Sequence, residues 1–208
     1  MTLVALSTTY GSGGSRIAPG LAERLGVPLL DRARPVLPTE RLEELLIAQE
    51  PDATSGPPQL STAAALGLCW GTPAGITLDA LLPDDEERRA IEQAVRDRAA
   101  TGEGVILGRA ATVLLRDDPR VLRVRLDGPV ERRVRQAAEL EGIDEEDARR
   151  RLELTDRARY AIVDAFYGVD ISSPRLYALV LDSTAIPLDA AVELIAHAAH
   201  AWDERLRA

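Results

Sequence analysis

Residues 3–18 of the chain read LVALSTTYGSGGSRIA. Leu3 to Leu6 is a short apolar run, as expected for a buried parallel strand. A glycine-rich turn follows, and from Ser15 to Leu25 the apolar residues keep a helical period until Gly26 ends the segment. A glycine turn between a strand and a helix lets backbone N–H groups and the helix dipole meet an anion. The stretch therefore predicts a phosphate-binding turn, and a bare structural turn is the alternative.

Neither common glycine motif fits this turn completely. The P-loop pattern G-x-x-x-x-G-K-[ST], laid over the chain with Gly13 as its second glycine, puts Thr8 at its first glycine and Gly14 at its lysine. The dinucleotide pattern G-x-G-x-x-G matches Gly11 and Gly13 but has Arg16 at its third glycine. Because arginine is the nearest cation in the sequence, Arg16 is the predicted replacement for the missing lysine.

The remainder of the chain alternates short apolar runs with amphipathic segments. This order predicts one α/β domain over residues 1–208, with a parallel sheet sandwiched by helices. Residues 51–83, rich in Pro, Gly, Ser and Thr, are predicted to be a loop-rich insertion. The further predicted strands are 27–31, 105–107, 121–126 and 176–181, and the further predicted helices are 35–50, 84–101, 110–115, 129–141, 144–166 and 188–206.

Composition excludes several functional classes. The net charge of -9 over 208 residues argues against a protein that coats nucleic acid or an anionic membrane. No stretch approaches the roughly 18 apolar residues of a membrane span, and the N-terminus has no basic segment typical of a signal peptide. The single cysteine, Cys69, excludes an internal disulfide, so we expect a reducing, cytoplasmic location. All 25 basic residues are arginine.

Motifs along most of the chain resemble the cytidylate kinase-like proteins, a branch of the P-loop nucleoside monophosphate kinases. The turn at residues 7–18 resembles that family's Y-G-S-G-G cradle, which also lacks the lysine. Residues 29–32 and 105–110 are similar to its second strand and to its strand followed by a G-R turn. Further matches, in the same order, are residues 121–133 before the lid, residues 155–160 and 166–170 in the lid, and residues 177–183 in the last strand.

This resemblance implies a P-loop NTP hydrolase-type kinase fold with a helical lid at residues 144–170 and acceptor recognition within residues 35–100. It implies ATP and Mg²⁺ as cofactors and small nucleotides as substrates. Gly11, Ser12, Gly13, Gly14 and Ser15 would bind the donor, with the Ser15 hydroxyl on Mg²⁺. The implied acceptor contacts are Asp31, Arg34, Arg109, Asp156 and Arg159, and the implied catalytic arginines are Arg157 and Arg159, while Arg151 could also reach the phosphoryl group. Arg16, predicted from the motif to replace the lysine, is added to both the donor-binding and the catalytic residues.

Two functions remain open from the sequence. The first is an ATP-dependent phosphotransferase that acts on a nucleoside monophosphate (cytidylate-like) or a related small acceptor. The second is a nucleotide-binding protein with little turnover, because the cradle lacks lysine and Leu107 and Ala110 replace the acidic neighbours of the G-R turn in cytidylate kinases. Arg149 and Arg150 are interpreted as a solvated helix face, and His197 and His200 as ordinary helix residues.

Overall fold

A five-stranded parallel sheet with helices on both faces forms the centre of the chain. The computed structural model describes residues 2–31 and 85–207. The strand order is β2-β3-β1-β4-β5, and every pairing is parallel. The strands are β1 Leu3–Thr8, β2 Leu29–Leu30, β3 Gly104–Leu107, β4 Val121–Asp127 and β5 Leu179–Asp182. The sequence prediction of a parallel α/β sheet is thereby confirmed.

Six α-helices are present in the described ranges. They are α1 Gly14–Leu25, α2 Asp85–Ala100, α3 Ala111–Leu114, α4 Val130–Glu141, α5 Glu145–Tyr167 and α6 Leu188–Arg207. The helix predicted at residues 35–50 and the insertion predicted at 51–83 lie outside the described residues. Within the described ranges, no helix combines the length and apolar character needed to cross a membrane.

The alternation of β1 assigns each sheet face to its helices. Val4 and Leu6 belong to the core that α1 and α6 cover, whereas Leu3 and Ala5 belong to the core that α2 and α3 cover. All four side chains are at most 2% exposed, so β1 is buried on both faces, as its apolar sequence predicts. Residues 85–100 of the predicted acceptor region therefore form a layer of the main fold, because α2 packs against the sheet.

The last strand differs from its sequence prediction. Residues 176–181 were expected to be extended, but Pro174–Leu176 forms a single 3-10 turn and β5 begins only at Leu179. Pro174 favours this turn because its fixed φ suits the first helical position. The Tyr177 hydroxyl donates a hydrogen bond of 2.7 Å to the Ile171 carbonyl and holds the turn against the preceding loop.

Helix α6 gives a direct test of this packing. Ile195 is fully buried in the core between α1, α6 and the sheet, whereas the neighbouring Leu194 is 51% exposed. Ile195→Ala should lower the free energy of unfolding by about 2–5 kcal/mol, and Leu194→Ala by about 0.5 kcal/mol or less. Urea denaturation followed by circular dichroism measures both, and equal losses in the two variants would contradict the packing described.

Candidate functional site

The glycine turn lies at the carboxyl end of the central strand. The chain leaves β1 at Thr8, passes through residues 9–13, and enters α1 at Gly14. We call residues 8–15 the glycine loop. Strand β1 pairs with β3 on one side and β4 on the other. In open α/β sheets, ligands bind outside the carboxyl ends of strands where the connections diverge, and this loop occupies that position.

Two glycines of the loop adopt backbone conformations that favour glycine. Gly11 and Gly13 have φ angles of 75° and 74°, in the left-handed region. A Cβ on Gly11 would lie 2.2 Å from the Arg133 carbonyl oxygen, and one on Gly13 would lie 2.7 Å from Leu188. The loop therefore needs glycine at both positions, for conformation and for space.

The six carbonyl oxygens of residues 8–13 in the loop are all bonded to the protein. Two of them accept hydrogen bonds from residues of the loop itself or of the first turn of α1. The Thr9 carbonyl accepts a bond of 2.7 Å from the Ser12 hydroxyl, and the Gly13 carbonyl accepts bonds from backbone N–H groups of α1. The other four accept side-chain bonds from distant elements. These donors are Arg159 to Thr8 at 2.6 Å, Arg133 to Tyr10 at 2.9 Å, Gln136 to Gly11 at 2.9 Å, and Ser183 to Ser12 at 2.7 Å.

The backbone N–H groups of the same loop have a different pattern. Those of Gly11, Gly13, Gly14 and Ser15 donate to no acceptor among the described residues. Gly13 is left-handed and Gly14 is the first residue of α1, which is the alternation that forms an anion-binding nest. The loop thus has its acceptors occupied and four donors free, and this arrangement is suited to a phosphate group.

A buried ion pair between Asp156 and Arg133 supports the loop. The Asp156 carboxylate accepts a hydrogen bond of 2.8 Å from the Tyr10 N–H and forms an ion pair of 2.5 Å with Arg133. Asp156 and Arg133 are 8% and 6% exposed. In this structure Asp156 therefore acts on the loop backbone, and its predicted contact with the acceptor stays a prediction.

Asp127, at the end of β4, supports the loop from the sheet. Its carboxylate pairs with Arg125 at 2.8 Å and accepts bonds from the Thr9 hydroxyl and the Gly128 N–H. Burial works to raise the pKa of Asp127, but the Gly128 N–H and the Arg125 guanidinium outweigh it and hold the pKa below its ordinary value. The carboxylate is therefore charged at neutral pH.

The predicted arginines fall into different positions. Arg16 is exposed on the first turn of α1, where its side chain bonds to none of the described residues. Arg159 contacts the Thr8 carbonyl, lies 3.8 Å from Asp156 and leaves its other N–H groups without partners in the described ranges. Arg151 is buried and pairs with Glu141 at 2.9 Å. Arg157 lies in α5 with its side chain outside the described part, and Arg34 lies outside the described residues.

The helix-face interpretation holds for the two outer arginines of α5. Arg149 pairs with Glu131 of α4 rather than with a residue of its own helix, and Arg150 pairs with Asp147 at 3.4 Å. Both side chains are exposed, at 40% and 45%. Such pairs contribute little to stability.

A second group of predicted residues meets at the ends of β2 and β3. The Arg109 Nε donates to the Asp31 carbonyl. Burial lowers the pKa of Arg109, and the charge of Asp31 opposes that shift. Gly108, Arg109 and Ala110 have φ angles of 69°, 55° and 52°. Such left-handed residues are strained unless they are glycine, and strain of this kind concentrates at functional sites.

Ser15 is the predicted Mg²⁺ ligand of the glycine loop. Ser15 is exposed at the start of α1, and its hydroxyl bonds to none of the described residues. No group of three or more His, Cys, Asp or Glu residues in the described ranges could hold a metal ion. Since Mg²⁺ in kinases keeps water and binds the substrate phosphates with few protein ligands, Ser15 fits a metal that arrives with its nucleotide.

The contribution of Asp127 to stability should depend on pH. Because its folded pKa lies below the unfolded value of about 3.9, the stabilisation is present above that pH and lost as pH falls through the folded pKa. Asp127→Asn should lower the free energy of unfolding by about 1–2 kcal/mol at pH 7, which is less than the loss expected for a fully buried pair. Between pH 5 and 2, the free energy of unfolding of this variant should fall less than that of the wild type.

Chemical denaturation at several pH values measures this difference. Asp117→Asn is the matched control, because its carboxylate is 91% exposed and its removal should leave the wild-type acid profile unchanged. Parallel acid profiles for Asp127→Asn and the wild type would contradict the pairing described.

Known proteins resemble this chain in sequence and in fold. A cytidylate kinase of Methanopyrus kandleri is 32% identical over 102 residues, which are 45% of this chain and about half, 53%, of that protein. A solved structure of an uncharacterized protein from Eubacterium ventriosum has a TM-score of 0.63 at 21% identity and covers 94% of this chain and 96% of its own. A gluconokinase from Sinorhizobium meliloti has a TM-score of 0.53 at 18% identity, with 99% and 95% covered.

Both structural likenesses are under 25% identical, so they show a shared fold alone, in one case with a gluconokinase. The family comparison covers more of the sequence. The profile of the cytidylate kinase-like family matches residues 3–185, which include the glycine loop, Asp31 and Arg109, and the whole of the predicted lid at residues 144–170. The chain belongs to the cytidylate kinase-like family.

Proposed function

We propose that this chain is an ATP-dependent phosphotransferase that acts on a nucleoside monophosphate, cytidylate-like, or a related small acceptor. The observation that carries the proposal is the polarity of the glycine loop. Every carbonyl from Thr8 to Gly13 is bonded to the protein, and the N–H groups of Gly11, Gly13, Gly14 and Ser15 are free of partners in the described ranges. Free donors at a helix N-terminus favour the β- and γ-phosphates of a nucleotide.

Phosphoryl transfer mainly requires positioning and neutralisation of charge on the phosphoryl oxygens. The bound ATP would supply the transferred group and, with Mg²⁺, part of that neutralisation. Arg159 supports this role, because it reaches the start of the glycine loop from α5 and retains unused donors. We assign Arg16 and Arg157 to the same task on their positions in α1 and α5.

The acceptor is proposed to bind beside the donor, at the ends of β2 and β3. Asp31 and Arg109 already contact each other there, and Arg109 has a guanidinium suited to bidentate contact with a phosphate. Arg34, Asp156 and Arg159 complete the proposed acceptor contacts. Family membership and the likeness to a cytidylate kinase support a nucleotide acceptor. A cytoplasmic location is proposed with this function, because the substrates would be small nucleotides.

One observation favours a second candidate, a nucleotide-binding protein with little turnover. The position of the P-loop lysine is occupied by Gly14, so residue 14 brings no charge to the phosphates. Arg159 could supply that charge, but one of its N–H groups is already bonded to the Thr8 carbonyl. In this second function the free N–H groups would hold the nucleotide without accelerating transfer.

Binding and turnover experiments separate the two functions. Calorimetric titration of the full chain with ATP and Mg²⁺ should give saturable binding, and a screen of nucleoside monophosphates, with gluconate included, should reveal acceptor-dependent ADP release. Arg159→Ala and Arg16→Ala should each lower kcat by roughly 10²-fold or more, because each removes positive charge from the transition state.

Arg24→Ala is the matched control. Arg24 also lies on α1, but it forms an exposed pair with Glu193 at 2.7 Å, so kcat should be unchanged. Binding of ATP without ADP release for any acceptor would favour the second function. Unchanged turnover in Arg16→Ala would refute the role of Arg16 as the replacement for lysine.

A further inference from the structure

The two positions at which the glycine loop departs from the P-loop pattern are in direct contact. Thr8 occupies the first glycine position and ends β1, and Gly14 occupies the lysine position and begins α1. A Cβ on Gly14 would lie 2.5 Å from the Thr8 Cγ2, 3.0 Å from its Cβ and 3.2 Å from its Oγ1. Non-bonded carbon atoms pack at about 3.5–4.0 Å, so the Thr8 side chain fills the space that any side chain at position 14 would need.

The backbone conformation does not explain the glycine at position 14. Gly11 and Gly13 are left-handed, whereas Gly14 belongs to the first turn of α1 and has no positive φ. An alanine or lysine would adopt that helical conformation readily. Space is therefore the reason for glycine at this position, and Thr8 is the residue that limits it.

A change of the Thr8 rotamer does not remove the overlap completely. Rotation about χ1 moves the methyl and hydroxyl groups, but it leaves the Thr8 Cβ in place, 3.0 Å from the Cβ that a side chain at position 14 would add. The Thr8 backbone is fixed by its register opposite Leu126 in β4 and by the Arg159 bond to its carbonyl. On the other side, Gly14 could retreat only if α1 moved with its fully buried Ile17 and Leu21.

We propose that Thr8 is the residue that fixes the lysine-less form of this phosphate loop, because a side chain at position 8 and a lysine at position 14 exclude each other. The two departures from the P-loop pattern are therefore linked: a side chain is present at position 8 and absent at position 14. We call this linked change the steric exchange. The positive charge that faces the donor must consequently come from a residue other than 14, and Arg16 of α1 and Arg159 of α5 are the cations placed to supply it. The interpretation of the loop as a phosphate site rests on the proposed function.

The overlap between Thr8 and a side chain at position 14 is tested without any nucleotide, by a double-mutant cycle on the full chain. Gly14→Ala should lower Tm by about 4–10 °C, as expected for overpacking. Thr8→Gly/Gly14→Ala should have a Tm at least as high as Thr8→Gly alone, because the added methyl group then has room. Gly20→Ala, in the same helix, is the matched control: its Cβ would meet only a Val192 methyl at 3.3 Å, and Tm should not fall.

Two results of this cycle would overturn the inference. One is a Gly14→Ala variant as stable as the wild type. The other is a double variant in which the two effects simply add, since residues in contact are expected to couple. If Gly14→Ala does not fold at all, recovery of folded protein in the double variant supports the exchange, and failure of both variants overturns it.

The consequence for nucleotide binding is tested by placing a lysine at position 14. If the wild type binds ATP with Mg²⁺ in calorimetry, Gly14→Lys should bind at least about 10-fold more weakly, and Thr8→Gly/Gly14→Lys should return to the wild-type Kd or a tighter one. A double variant that stays as weak as Gly14→Lys would overturn the inference. Absence of ATP binding by the wild type would instead refute the proposed function, while the Tm cycle would still decide the steric exchange.

Discussion

Hydrogen bonds to the carbonyl oxygens of the glycine loop are the interaction on which the proposed site depends. A glycine-rich loop is intrinsically free to adopt many conformations, and here four side chains from outside the loop fix its carbonyls: Arg133, Gln136, Arg159 and Ser183. Because each carbonyl faces a protein donor, the four free N–H groups are left for a ligand. Preorganised donors of this kind bind an anion without a further cost of ordering the loop.

The same bonds make the sheet and the helices around it parts of the site. Helix α4 supplies Arg133 and Gln136, α5 supplies Asp156 and Arg159, and the end of β5 leads to Ser183. Arg133 and Asp156 form a buried ion pair, and the loss of one partner of such a pair is strongly destabilising. Helix α5 lies in the predicted lid, so movement of the lid would act directly on the backbone of the loop through Asp156 and Arg159.

The sequence was sufficient to predict the order of the elements and the position of the loop. Apolar runs followed by glycine and helical periods identify β1, β3 and β4 with their helices, because a strand buried on both faces has a simple pattern. The supporting residues could not be found in this way. Arg133 and Ser183 are 123 and 171 positions from the loop residues that they hold, and in sequence Arg133 resembles any other arginine of a charged helix. The coupling of Thr8 with Gly14 was likewise hidden, since a motif comparison counts each position separately.

In the proposed site, the free N–H groups of the glycine loop hold the phosphates of a nucleotide. Titration of the ¹⁵N-labelled chain with ATP and Mg²⁺, followed by amide NMR, observes these groups directly. The largest shifts are expected at Gly11, Gly13, Gly14 and Ser15, and smaller ones at Thr9 and Tyr10, whose N–H groups already bond to Leu126 and Asp156. Saturable binding that leaves the four loop amides unshifted would show that this loop does not hold the phosphates.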